Sequence, residues 1–149
     1  MTYNKKVIEF PSKEVLWAFE DYVEGANNPI QKWYDSELSD EAQFMFDNVL
    51  KNCQKIKDPS KWQDSRGYLK GECDGHKIWE LGFKCDSKQY RIFGVFSAEK
   101  RKQAILLVGC YHKQKRYTPD NALATALKRK KALEEGRANT IERKISADQ

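Results

Sequence analysis

The segment HKQKRY at 112–117 sets His112, Lys113, Lys115, Arg116 and Tyr117 directly after AILLVGCY, the most apolar run in the chain. A buried strand that ends in a crowd of cations presents them from a rigid support, as binding and catalytic loops do. A second basic pair, Lys84 and Arg91, lies in IWELGFKCDSKQYRIF at 78–93. Many fixed positive charges, one imidazole and phenols with few carboxylates nearby suit cleavage of RNA by its own 2′-hydroxyl. The nucleophile is already in the substrate, so the protein supplies proton transfer and charge neutralisation. Arg91 and Arg116 carry permanently charged forked donors matched to phosphorane oxygens. Lys84, Lys113 or His112 would move the proton, and Tyr117 would stack on a base or act as an acid. Lys115, with Lys128, Arg129 and Lys131 further on, would hold the phosphate backbone. A single histidine without carboxylates at ligand spacing makes no metal site here, and the chemistry calls for no cofactor.

These residues need a sheet beneath them. Alternation in the 78–93 hairpin puts Trp79, Leu81, Phe83 and Cys85 on one face, matched by Tyr90, Ile92, Gly94 and Phe96 on the return strand. A four-residue turn from Asp86 to Gln89 would set Lys84 opposite Arg91; a one-residue shift would pair Lys84 with Tyr90. The first register opposes like charges, which an anionic ligand on that face would relieve. The simpler alternatives are a solvated basic face, or Arg91 paired diagonally with Glu80.

The period changes along the chain. VIEF at 7–10 reads as a short strand, and Ser12 as the cap of a helix carrying Val15, Leu16, Phe19, Tyr22 and Val23. A short helical piece with Ile30, Trp33 and Tyr34 follows Pro29, and Ser39 opens a stronger helix with Ala42, Phe46, Val49, Leu50 and Cys53 on one stripe. From 68 to 112 the period is about 2, through YLKGEC, KIWELGFKC, QYRIFGVF and QAILLVGCYH, which predicts consecutive strands of a mainly antiparallel sheet. Thr118 and Pro119 mark the start of a last helix with Ala122, Leu123, Ala126, Leu127 and Leu133 as its apolar stripe; from Gly136 the tail is expected to be frayed or partly helical. The expectation is one α+β domain over 1–149: a helical part to about residue 60, a sheet over about 68–112, and a C-terminal helix from about 119. Its helices pack on one sheet face and leave the other open.

Composition fits that size. The 149 residues are 40% hydrophobic and 33% charged, enough apolar side chain for one core. Residues 1–60 hold seven Lys/Arg against eleven Asp/Glu, while residues 61–149 hold twenty against eleven, an asymmetry that points to a polyanion partner. Cys53, Cys73, Cys85 and Cys110 show no C-x-x-C spacing and read as unpaired structural thiols of a reducing cytoplasm. No apolar run is long enough to span a membrane, and the start lacks the apolar stretch of a secretory signal. Phosphate-loop, dinucleotide, nucleophile-elbow and zinc-protease motifs are absent from the sequence.

The region 70–135 resembles the phage-derived branch of the HigB and RelE family of bacterial toxins. The similar features are W-E-L before a basic strand end, Q-Y-R on the next strand, an apolar strand leading into KQKRYTP, and A-L-K-R on the last helix. The resemblance implies a compact α+β toxin fold with two N-terminal helices on an antiparallel sheet, a cognate antitoxin as partner, and cleavage of mRNA on the ribosome. The family's functional positions would fall on Lys84, Arg91, Lys113 and Arg116, with His112 and Tyr117 beside them. Gly82 stands where this branch commonly has arginine.

Overall fold

Two side-chain caps define the helical part of the computed structural model, which describes residues 15–114 and 116–145. Asn28 accepts from the Gln31 N–H at 2.9 Å and Pro29 takes the first position of α1, Pro29–Glu37. Ser39 accepts from the Ala42 N–H at 3.1 Å to open α2, Asp40–Gln54, whose first turn carries Asp40 and Glu41 at the favourable end of the dipole. The stripe read from the sequence, Ala42, Phe46, Val49, Leu50 and Cys53, is buried. The strands are β1 (Ala18–Val23), β2 (Ser65–Tyr68), β3 (Trp79–Cys85), β4 (Lys88–Phe96), β5 (Gln103–Lys113), β6 (Arg116–Thr118) and β7 (Asn139–Glu142), and the third helix is α3, Ala122–Glu134. They form one sheet of order β2-β3-β4-β5-β1-β7, with β6 on β5 beyond the end of β1. Every pairing between these strands is antiparallel except β1 with β5. The class is α+β.

The helices do not share one face. Residues of α1 and α2 pack with Leu81, Phe83, Ile92 and Leu106, whereas Ala122, Ala126 and Ala132 of α3 pack with Phe93, Ile105, Leu107 and Val108 on the opposite side. The cause is legible in β5, where Ala104 through Val108 are all buried: an apolar run without alternation needs cover on both sides. The expected open face is therefore largely closed.

Four local expectations change. Residues 18–23 form β1 instead of a helix, because pairing with distant β5 supplies backbone partners and the two covered faces take Phe19 and Tyr22 separately. Only Tyr68 of YLKGEC is in a strand; Gly71–Cys73 is a 3-10 turn, and β2 comes instead from SRGY. Thr118 ends β6, and α3 begins at Ala122, whose N–H reaches the Pro119 carbonyl at 3.2 Å. The tail is strand β7, held to β1 by the backbone, by Thr140 Oγ1 donating to Glu20 at 2.6 Å, and by a buried Arg143–Asp21 ion pair at 2.9 Å. VIEF and Ser12 lie outside the described residues.

The β4–β5 ladder contains a bulge. Phe93 pairs with Val108 and Gly94 with Leu106, so Leu107 is the extra residue. Arg129 of α3 donates to the Leu107 carbonyl at 2.7 Å, and its guanidinium lies 5.4 Å from the Tyr22 ring. Arg129 thus helps to hold the sheet. Lys128 and Lys131 are exposed on the same helix. Among the described residues no helix is long and apolar enough to cross a membrane.

All four thiols are free and buried. Burial pushes Cys53 and Cys110 up to about 12, and burial with a neighbouring carboxylate, Glu24 and Asp47 respectively, does the same for the phenols of Tyr22 and Tyr34. These groups hold their protons more tightly folded than unfolded, so their stabilisation is full below about pH 9 and declines as pH rises toward 12. The urea midpoint at pH 10.5 is therefore expected to lie below that at pH 8 with an unchanged slope. Arg129→Ala should cost about 1–2 kcal/mol in the same assay by stripping the Leu107 carbonyl of its donor. Lys128→Ala and Lys131→Ala should stay within about 0.5 kcal/mol of wild type.

Candidate functional site

The β3–β4 turn sets which residues meet. Asp86 and Ser87 adopt φ of 55° and 65°, the left-handed pair that a tight two-residue hairpin needs, so Cys85 pairs with Lys88 and Lys84 with Gln89. Arg91 then faces Gly82. Neither register drawn from alternation occurs, and the like-charge opposition of Lys84 and Arg91 disappears with them. At the turn Ser39 Oγ donates to Asp86 at 2.8 Å, tying the hairpin to the start of α2. Glu41, Cys85 and Asp86 bring their ligand atoms within 4.8 Å of one another there.

Across the sheet, pairing continues from Gln89 to His112 and from His112 to Tyr117. Lys84, Gln89, His112 and Tyr117 therefore form one row on the α3 side, with Gly82, Arg91 and Cys110 in the next and Glu80, Phe93 and Val108 in the third. Lys84 and Gln89 are exposed and His112 and Tyr117 half-buried, so α3 leaves this end of its face accessible. The bulge at Leu107 decides the matter, since it inverts the pleat: Leu106 faces α2, whereas Cys110 and His112 face the α3 side.

Glu80 is the centre of the arrangement. Its Oε2 accepts from the Tyr117 hydroxyl at 3.1 Å and pairs with Arg91 Nε at 3.2 Å. Arg91 is 6% exposed and also donates to the Tyr90 carbonyl at 3.0 Å and the Gln89 amide oxygen at 2.9 Å. The Tyr117 ring stands edge-on to Phe93 at 5.1 Å, and the His112 ring is tilted against it with centroids 4.9 Å apart. Burial raises the Glu80 carboxyl above the usual range despite the Tyr117 hydrogen bond and the charges of Arg91, His112 and Arg66. Burial first, and then the Glu80 charge, raise the Tyr117 phenol. Arg91 is a fixed, largely neutralised cation and not a free arm.

Gly82 has a positive use. A Cβ built there would lie 2.7 Å from Arg91 Nη1 and 3.1 Å from Arg66 Nε, so the missing side chain is the space through which both guanidinium groups lie over β3. Arg66, exposed on edge strand β2, brings a guanidinium to the position beside Gly82. Nothing in the sequence marked it except the glycine at 67, which has φ +81° in an irregular β2–β3 pairing with one extra residue between Ser65 and Tyr68. Glu80 was legible, since it shares the alternation phase of Gly82 and Lys84.

Two candidates separate from the rest. Lys113 pairs with Arg116, and alternation from His112 and Tyr117 puts both on the opposite pleat, the side of Tyr111 and α1. Arg91 and Arg116 thus do not converge. Lys115 lies outside the described residues.

A family model described as Phage derived protein Gp49-like (DUF891) matches residues 34–131, about two thirds of the chain. The chain belongs to this phage-derived Gp49-like family. The match runs from α1 through most of α3 and so includes every residue of the cluster. No curated protein and no solved structure matches the chain.

Removing one member of the Glu80–Arg91 pair leaves a buried charge alone, whereas removing both does not. Glu80→Gln should therefore lower unfolding free energy by about 3 kcal/mol, and Glu80→Gln with Arg91→Met should recover most of that loss, read from urea unfolding curves.

Proposed function

We propose that this Gp49-like protein is the toxin of a type II toxin–antitoxin pair, a ribosome-dependent endoribonuclease that cleaves mRNA by attack of the 2′-hydroxyl on the adjacent phosphate. Membership of the Gp49-like family, a toxin-like group, supports this reading. The observation that carries it is the row of Lys84, His112 and Tyr117 beside Arg66 at one accessible end of the sheet. His112 is the proton-transfer group, because it is half-buried against Tyr117 and still reachable. Arg66 and Lys84 neutralise the phosphorane charge, and Tyr117, held by Glu80, orients the imidazole and stacks on a base. Arg91 positions Glu80. The one carboxylate in the cluster is already paired, so the proposed chemistry runs through cations and proton transfer. A cognate antitoxin would silence the enzyme by covering this row, and the ribosome would deliver the message to it.

The neutralisation of Arg91 by Glu80 favours a second reading, a non-catalytic RNA- or protein-binding module that kept the fold. Translating ribosomes incubated with the purified protein separate the two, since only the enzyme generates new mRNA ends. Cleavage is expected, with arrest of growth on expression. His112→Ala and Arg66→Ala should each reduce it by about 100-fold while shifting the melting temperature by no more than about 2 °C. Wild-type cleavage by both variants would remove the assignment.

A further inference from the structure

Strand β2 serves two sides of the molecule. Arg66 reaches the cationic row over Gly82, while its neighbours Ser65 and Gly67 line a separate cleft of about 320 Å³ walled by Trp62, Tyr68, Trp79 and Phe96. These four rings make up half of its lining, and Pro59, Ser60, Ser65 and Gly67 complete it. Trp62 and Trp79 meet perpendicularly with centroids 6.0 Å apart, and Phe96 lies 5.6 Å from Trp79 and 5.9 Å from Trp62. Tyr68, at the rim, is 51% exposed, with the Lys77 ammonium 5.5 Å above its ring.

Among the described residues, one polar atom in these walls is unsatisfied. The indole N–H groups of Trp17 and Trp62 donate to the carbonyls of Lys57 and Ile56, at 3.0 and 3.1 Å, but the buried Trp79 Nε1 has no acceptor among the described residues. Buried donors without partners are rare because desolvation goes uncompensated. The fitting occupant has a flat face for the aromatic walls, an acceptor in its ring plane for the indole, and an anion nearby for Lys77 and Arg66. An unpaired nucleobase on its phosphate backbone has all three. An aliphatic chain lacks the acceptor, and a saturated sugar lacks the face.

We propose that this cleft seats one unpaired base of a single-stranded RNA whose backbone passes over the edge of β2 to Arg66. The inference rests on RNA as the substrate of the proposed function and assigns one nucleotide beyond the Arg66 contact a binding pocket of its own. Alternation puts Arg66 and Ser65 on opposite sides of β2, and the extra residue brings Tyr68 back to the side of Ser65, opposite Trp79.

The test uses the full chain and a dye-labelled single-stranded hexanucleotide with 2′-O-methyl riboses, which 2′-hydroxyl attack cannot cleave, beside the same strand with an abasic position scanned along it. At one position the loss of the base should weaken binding to wild type by about tenfold, read by fluorescence anisotropy. Tyr68→Ala and Trp79→Phe should weaken the intact strand toward the abasic level, whereas Tyr68→Phe, which keeps the ring, should retain the difference. Equal affinity of intact and abasic strands for wild type overturns the proposal, as does an equal loss for both strands in Tyr68→Ala. A proline-rich peptide that binds at Tyr68 while the oligonucleotide does not would also overturn it. Ribosome cleavage measured in parallel keeps the two readings apart. Base-dependent binding without cleavage upholds the cleft and removes the nuclease, and cleavage with base-independent binding does the reverse.

Discussion

Strand β5 must be covered on both sides, and the remaining architecture follows from that requirement. Ala104, Ile105, Leu106, Leu107 and Val108 leave almost no surface to water, with relative exposures from 0 to 8%. A strand of this kind is stable only between two layers, so α1 and α2 occupy one side and α3 the other. Its two edges are used as fully as its faces. β4 runs along one edge, and β1 and β6 divide the other. The long strand carries His112 out of this core to the accessible end of the sheet.

Position along β5 matters less than phase. Without the extra residue at Leu107, His112 would share the side of Leu106 and lie beneath the helical layer formed by α1 and α2. The bulge moves it to the side of Glu80, Arg91 and Tyr117. Arg129 secures the bulge from the opposite layer by taking the Leu107 carbonyl, so a helix cation that looks like part of a phosphate-binding face acts inside the protein. Burial pushes the Arg129 guanidinium below its ordinary pKa range, which fits a residue drawn in from solvent.

Charge is buried at both ends of the sheet. Glu80 with Arg91, and Asp21 with Arg143, are pairs in which burial raises the carboxylate pKa against the pull of the arginine. Such pairs contribute little net stability, but each penalises any arrangement that separates its members. One pair holds the register of β3 against β4, and the other holds β7 on β1. The Arg143 guanidinium also lies 4.6 Å from the Tyr34 ring, so the terminal segment is joined to α1 as well as to the sheet.

Local chemistry made much of this legible. Asn28–Pro29 and Ser39 carry their own cap signals, the α2 stripe repeats at helical spacing, and β3, β4 and β5 announce themselves by alternation or by an unbroken apolar run. The α+β class, the free thiols and the presence of cations around 84, 91 and 112–117 needed nothing more. What the chain alone could not decide was which of those cations share a space. That depended on a two-residue turn at Asp86–Ser87, one extra residue at Leu107, another in β2, and the cover supplied by α3. The two extra residues each shift the pleat by a single position, and because side chains alternate every residue, a single step moves a charge from one side of the sheet to the other. Lys113 and Arg116 left the cluster that way, and Arg66 entered it. Residue types are local properties, whereas their convergence is set by pairings between segments far apart in sequence.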